Sequence, residues 1–182
     1  KSLFERTSYD NCEVILLVNE RVRQSPERDA LLHGFGKRPN VRVVEYSDRP
    51  FNYSWVNNFG ATQASGDILC FLNDDTEVVT ADWLEQLVSR VSLPQVAAAG
   101  PMLYYPDGTI QHAGVILGLR GIAGHACHRE PRGSYGYFGR ACLEQDVSCV
   151  TAACMVIRAD VFRTIGGFDE AMPLAYNDVD LC

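Results

Sequence analysis

An α/β domain, built as a mainly parallel sheet flanked by helices, is the fold class this sequence predicts, and three observations predict it. Strand-type and helix-type segments alternate at short spacing through residues 11–100, the pattern of parallel strands covered by helices. The segment Ala81–Val91 sets Trp83, Leu84, Leu87, Val88 and Val91 on one helical face, as an amphipathic helix against a sheet requires. In the second half, two β-rich stretches flank Pro106-Asp107-Gly108, a turn sequence whose glycine accepts positive φ, so a β-hairpin belongs there.

The elements follow in order. Residues 1–12 read as the last turns of a helix and a short turn, followed by a strand over Glu13–Val18. A helix is predicted over Pro26–Leu32, with Pro26 in its first turn and Gly34 past its end. The β-branched strand Val41–Tyr46 comes next, then a helix from Tyr53 that ends by Gly66, the strand 67–73, the helix 81–91 with Thr80 as N-cap, and the strand 96–100. Residues 120–143, rich in Gly, Arg, His and Tyr without periodicity, read as a long loop of the kind that carries function. A strand over Ser148–Ile157, a short helix ending at Gly166-Gly167, and a helix capped by Asp178 close the chain.

Composition narrows the function classes. With 182 residues, 47% hydrophobic and 21% charged, the chain has enough apolar mass for one domain with a sizeable core. A net charge of −7, with scattered acidic residues, argues against nucleic acid as a partner. No apolar run reaches the roughly twenty residues of a membrane helix, so a soluble, cytoplasmic protein is expected. The seven cysteines, several of them inside apolar segments, read as reduced core thiols.

The chemically pointed stretch is "FLNDDTEVV", where an apolar strand runs into Asn73, Asp74 and Asp75. Ligands of open α/β sheets bind beyond the carboxyl ends of the strands, and two carboxylates beside an amide make a hard-oxygen site for Mg²⁺ or Mn²⁺ carrying phosphate oxygens. An acidic turn explains the same residues without a metal. In "HACHRE", His125, Cys127 and His128, with Cys142, Cys149 and Cys154 downstream, raise structural zinc, but the pairs lack finger spacing. Arg120, Arg129, Arg132 and Arg140 of the same loop suit a diphosphate or an anionic acceptor, or simply a solvated loop. Gln111 and His112 follow the predicted turn and are candidates for an acceptor cleft, and Thr151 for its floor.

"FNYSWVNNFGATQASGDILCFLNDDTEVVTADWLEQLV" resembles the nucleotide-sugar-binding half of family 2 glycosyltransferases with the GT-A fold. "GTIQHAGVILG", "VTAACMVIRADVFRTIGGFDE" and "YNDVDLC" resemble, in the same order, the acceptor side of bacterial members that build rhamnose-containing surface polysaccharides. The resemblance implies one domain over 1–182, truncated at both ends and lacking the family's first strand, with a nucleotide-sugar half (1–100) and an acceptor half (101–182). It implies Asp75 as the metal-holding carboxylate, Asp74 at the ribose or assisting the metal, and Asn58 near the donor phosphates. Asn19 stands where relatives read the base, and Asp178, in "NDVD", matches the general base, with Asn177 replacing a glutamate. The implied reaction is inverting, metal-dependent transfer of a sugar from a nucleotide-sugar donor to a saccharide acceptor in polysaccharide biosynthesis. The implied place is the cytoplasm, peripheral at the inner membrane face through segments outside this chain. Two other readings remain: a nucleotidyltransferase on sugar phosphates, and a non-catalytic carbohydrate-binding or assembly module.

Overall fold

The computed structural model describes residues 1–182 except the side chains of Arg23 and Arg120. Its elements are α1 (Ser2–Arg6), β1 (Val14–Asn19), α2 (Pro26–Gly36), β2 (Val41–Tyr46), α3 (Tyr53–Gln63), β3 (Ile68–Leu72), α4 (Trp83–Val91), β4 (Ala98–Ala99), β5 (Leu103–Tyr104), β6 (Ile110–His112), β7 (Val115–Leu117), β8 (Ala123–His125), β9 (Cys154–Arg158), α5 (Ala159–Thr164) and α6 (Asn177–Leu181).

The α/β class holds, but the sheets are mixed rather than mainly parallel. Only β1 and β2 pair in parallel, Val14 opposite Val41 through Asn19 opposite Tyr46. The strand β9 enters between β3 and β4 and runs antiparallel to both, so β3 and β4 point the same way without touching. The remaining ladders, β5–β6 and β7–β8, are antiparallel, as short connections between adjacent strands demand. Among the described residues, the second edge of β1 and the second edge of β3 have no ladder partner.

Burial makes β9 the centre of the molecule. Met155 and Ile157 face one core with Leu69, Phe71, Ala159, Phe162 and Phe168, while Cys154 and Val156 face another with Leu84, Leu87 and Val91 of α4. A strand covered on both faces is continuously apolar rather than alternating, which is why "ACMVI" shows no period of two. The aromatic rings of Phe71, Phe162 and Phe168 meet with centroids 5.0–5.5 Å apart, within the range where edge and tilted contacts are favourable. A smaller core under the second half gathers Ile110, Ala113 and Ala141.

Several local expectations are corrected. The helix α2 runs to Gly36 and includes Gly34, whose missing side chain faces open space, so the glycine weakens the helix without ending it. The N-cap position of α4 is Asp82, not Thr80; the Asp82 carboxylate accepts from Gln86 Nε2 at 2.9 Å one turn on. The supposed loop 120–143 contains β8 and helical turns at 119–121 and 137–139. The strand predicted over 148–157 is regular only from Cys154, because residues 149–153 spend their backbone groups on other partners, described below. The β5–β6 hairpin stands as expected, with Gly108 at φ 82°.

Replacing Phe71 by alanine removes a ring that is 6% exposed and shared by two aromatic neighbours. We expect a loss of about 3–5 kcal/mol in unfolding free energy, measured as a lower urea midpoint with an unchanged m-value.

Candidate active site

The segment from Cys149 to Ala153, which turns at Ala152 and Ala153 to enter β9, passes the end of β3, and about half of its backbone groups are claimed from outside. The Cys149 carbonyl accepts from Val115 N–H at 3.0 Å. Thr151 N–H donates to Nε2 of His112 at 3.4 Å, and Ala152 N–H donates to Oδ2 of Asp178 at 3.2 Å. The Ala152 carbonyl accepts from the Tyr53 hydroxyl at 2.7 Å. The Ala153 carbonyl accepts from Asn73 N–H at 3.0 Å. Asp178 and the end of β3 are therefore held on adjacent residues, Ala152 and Ala153 respectively.

Beyond β3 the chain turns tightly, with Thr76 N–H and Oγ1 both donating to the Asn73 carbonyl, at 3.3 and 2.7 Å. Asp74 and Asp75 form the corner of this turn and are exposed. Neither carboxylate takes part in an ion pair or hydrogen bond among the described residues. Exposure keeps their mutual repulsion small, and their oxygens are open to ligands. Two such carboxylates suffice for a hard divalent cation whose other ligands are phosphate oxygens and water.

Asp178 sits at the second position of α6, behind Tyr176, whose φ of 60° turns the chain into the helix. Its Oδ1 accepts from Val179 N–H at 2.9 Å, so the carboxylate is oriented through both oxygens instead of serving as the N-cap residue. Asn177 beside it is 5% exposed and donates to the Met172 carbonyl at 3.4 Å. Asp178 lines a cleft of about 300 Å³ together with Thr151, His125, Val115, Tyr176 and Asn177.

The loop leading to Asp178 hangs on α3. Tyr53 N–H donates to the Pro173 carbonyl at 2.7 Å, and the fully buried Ser54 donates its hydroxyl to the Met172 carbonyl at 2.7 Å. Asn58 accepts from Phe168 N–H at 2.9 Å and donates to the Phe168 carbonyl at 2.9 Å and to Glu170 Oε1 at 3.1 Å. A Cβ on Gly167 would lie 2.6 Å from Asn58 Oδ1, so the glycine, at φ 77°, is what lets the amide approach the loop. Asn58 thus ties α3 to the loop that carries Asp178.

The structure brings Thr151 and Asp178 into one cleft and sets Asp74 and Asp75 at the turn beyond the same segment. It does not bring Gln111 there: Gln111 stands on β6 between buried Ile110 and His112 and is absent from the cleft wall. His112 is 1% exposed and lies beneath the cleft, with Nδ1 2.9 Å from His125 Nδ1. Asn19 ends β1 and accepts from Arg21 N–H at 3.0 Å, far along the chain from the cleft walls. Arg129 stacks 3.8 Å over the Tyr105 ring and pairs with Asp107, Arg132 lies over Tyr104 and Arg140 donates to Gln145 at 2.8 Å; the Arg120 side chain lies outside the described residues. His128 Nε2 is 3.1 Å from the Tyr105 hydroxyl, and no three His, Cys, Asp or Glu among the described residues form a metal cage.

Sequence reading missed Ser54 as an anchor and His125 as a cleft residue. The "NYS" at the start of the helix carried the first signal, a small hydroxyl in its first turn. The second carried none, since His112 and His125 are paired only through the fold.

The fold is that of an α/β domain with an acidic turn after β3 and an oriented carboxylate in the neighbouring cleft, and sequence comparison places the chain in a family. The family model described as Glycosyl transferase family 2 matches residues 1–166; the chain belongs to this family. It is 44% identical over 188 aligned residues to the protein y4gI of Sinorhizobium fredii, covering all of this chain and 20% of that protein. It is 43% identical over 182 residues to the O-antigen biosynthesis protein RfbC of Myxococcus xanthus, covering 99% of this chain and 14% of RfbC. A third relative, the N-acetylglucosaminyl-diphospho-decaprenol L-rhamnosyltransferase of Mycobacterium tuberculosis, is 30% identical over 95 residues, 48% of this chain and 31% of the enzyme. The chain thus spans a fifth or less of the two relatives it matches over its whole length. No described helix is long and apolar enough to cross a membrane.

Removing the Asn58 amide leaves the Phe168 N–H and carbonyl without partners. Asn58→Ala should cost about 1–3 kcal/mol and raise hydrogen exchange at the Phe168 amide well above that of β9.

Burial, followed by the nearby His125, pushes the His112 pKa down from 6.5 to about 3. The folded ring stays neutral over a range in which the unfolded ring takes a proton, so its contribution is complete above about pH 6.5 and is lost as pH falls toward 3. Urea midpoints between about pH 7.5 and pH 5 should fall less steeply for His112→Gln than for the unaltered protein.

Proposed function

We propose that this domain transfers a sugar, with inversion, from a nucleotide-sugar donor to a saccharide acceptor in surface-polysaccharide synthesis. The observation that carries the reading is the anchoring of the Asp178 carboxylate on Ala152 and of the Asp74-Asp75 turn, through Asn73, on the adjacent Ala153, in a family 2 chain. Donor and acceptor chemistry need adjoining sites with different charges, and this arrangement supplies both.

On the donor side, Asp75, assisted by Asp74, would hold Mg²⁺ or Mn²⁺. The cation would stabilise the departing nucleoside diphosphate. On the acceptor side, Asp178 takes the proton of the attacking hydroxyl, which gains nucleophilicity as its oxygen approaches the anomeric carbon. The two N–H donors on Asp178 hold it as an oriented carboxylate, and Thr151 keeps the cleft floor small enough for a sugar to come close. Tyr53, a phenol whose pKa burial and then the Asp178 charge push up, stays protonated and keeps Ala152 in place. Attack opposite the leaving group inverts the anomeric centre.

Asn19, Gln111 and His112 have no part in these contacts, and Asn58 acts by holding the Asp178 loop. The open edges of β1 and β3 suit one additional parallel strand between the two sheets, which would join the nucleotide-sugar half into a continuous sheet. Work at the inner membrane face is consistent with the relative named for a decaprenol-linked substrate.

Nucleoside diphosphate with Mn²⁺ should raise the melting temperature, as ligands of the native state do, and Asp75→Ala should abolish that rise. Asp178→Asn should keep the rise but lower kcat by about 10²–10⁴. Equal stabilisation without metal, or without Asp75, would overturn the assignment, and pyrophosphate as product would replace sugar transfer with nucleotidyl transfer.

A further inference from the structure

Two histidines from different hairpins form a pair whose protons can be placed by elimination. Nε2 of His112 faces two backbone donors, Gly114 N–H at 3.3 Å and Thr151 N–H at 3.4 Å. An N–H cannot accept, so Nε2 of His112 carries no proton. A neutral imidazole then bears its proton on Nδ1, and burial to 1% exposure keeps the ring neutral. That Nδ1 lies 2.9 Å from Nδ1 of His125. Two protons cannot share this distance, so His112 donates and His125 accepts. The His125 proton is thereby fixed on Nε2.

His125 ends β8 and, unlike His112, is half-buried and lines the cleft that holds Asp178 and Thr151. Its Nε2 has no hydrogen-bond partner among the described residues. The titratable groups around it are His112 from β6, His128 from the following turn and Asp178 from α6. Burial lowers the His125 pKa, with Asp178 opposing and His128 adding to the shift, so the ring is neutral at pH 7. A packing role would be met by an apolar ring at less cost, since a buried polar pair requires satisfied partners. What the pair achieves is one oriented donor, as outer hydrogen bonds do for histidine generally.

We propose that His125 is an acceptor-binding residue: its Nε2–H, oriented by His112, donates to an oxygen of the acceptor saccharide lying against Asp178. This rests on the glycosyl-transfer reading above. A neutral donor beside a carboxylate suits a sugar hydroxyl pair and not a diphosphate, which Asp178 would repel. One hydroxyl gives its hydrogen to Asp178, and a neighbouring oxygen receives the hydrogen of His125. The two oxygens must differ, because a hydrogen bond into the attacking oxygen's own lone pair would weaken its attack.

The test begins with the protein alone. Two-bond ¹H–¹⁵N spectra of the imidazoles should show His112 protonated on Nδ1 and His125 on Nε2; the reverse pattern, or a charged ring at neutral pH, would sink the proposal. A panel of methyl glycosides of the common bacterial hexoses and deoxyhexoses is then titrated, with the Val179 amide reporting entry into the cleft. Each glycoside that shifts Val179 should also shift the His125 Nε2–H. Its affinity should fall about tenfold in His125→Phe, the effect of one hydrogen bond, and recover in part in His125→Gln, while Mn²⁺–nucleoside diphosphate binding stays unchanged. A glycoside that enters without touching the His125 resonance, or binds His125→Phe equally well, overturns the role. If no glycoside enters, the role also fails, and donor binding at Asp75 decides the transfer reading separately. If His125→Phe does not fold, the resonance shifts of the unaltered protein still decide.

Discussion

The site depends on a five-residue length of chain, Cys149 to Ala153, that turns into β9 and belongs to no ladder over most of its course. A strand's backbone groups are usually consumed by neighbouring strands. Between Cys149 and Ala153 about half of them are consumed by His112, Asp178, Tyr53, Asn73 and Val115. Each of these comes from a different element, so the segment fixes their relative positions as a ladder fixes two strands. Immediately afterwards β9 begins and is buried on both faces, which anchors the segment in the best-packed part of the molecule. Rigid support beneath and polar contacts above are the conditions under which side chains keep functional geometry.

The same arrangement explains why α3 matters to a site it does not line. Its first two turns bind the loop 168–173 through Tyr53, Ser54 and Asn58, and this loop delivers Asp178. Much of the helix's polar surface is committed to backbone carbonyls and amides that would otherwise lie partly buried and unpaired. The helix is thus a bracket between the sheet and the loop that carries Asp178. Asn58, which in sequence looks like a phosphate contact or a surface amide, holds the chain at Phe168 and Glu170, while Asn57 bonds back to its own helix.

How far the sequence was readable followed from where each signal resides. Local signals were legible: the face of α4, the Gly108 turn, and the strands β1, β2 and β3 within a residue or two at each end. Strand direction was not, because β9 inserts between β3 and β4 from more than fifty residues away in sequence, and nothing in "ACMVIR" states which neighbours it takes. The β7–β8 hairpin was hidden because three-residue strands show no periodicity. At the site, the motif residues Asp74, Asp75 and Asp178 were visible as carboxylates, and Thr151 as a small polar residue in an apolar run. His125 was visible only as a possible metal ligand, since its defining contact is a ring thirteen residues upstream on another strand.

The acidic pair also changes meaning once its exposure is known. Adjacent carboxylates at a buried strand end would need a counter-ion to exist at all. At an exposed turn they do not, because water and salt screen them, so their pairing alone argues for nothing. What sets them apart is their place at the end of β3, since other acidic side chains, among them Glu27, Glu85 and Asp146, are equally unengaged, while Glu13, Asp48, Asp107 and Glu144 pair with arginines. An acidic turn left open beside a segment that also orients Asp178 is accessible to a cation from solution, which is the basis of the donor-side proposal. The histidine pair follows the opposite logic: it is neutral, one ring is buried and orients the other, and the half-buried His125 presents one donor to the cleft. Charge on the donor side and neutral, directed hydrogen bonding on the acceptor side is the division that transfer between a diphosphate and a hydroxyl demands.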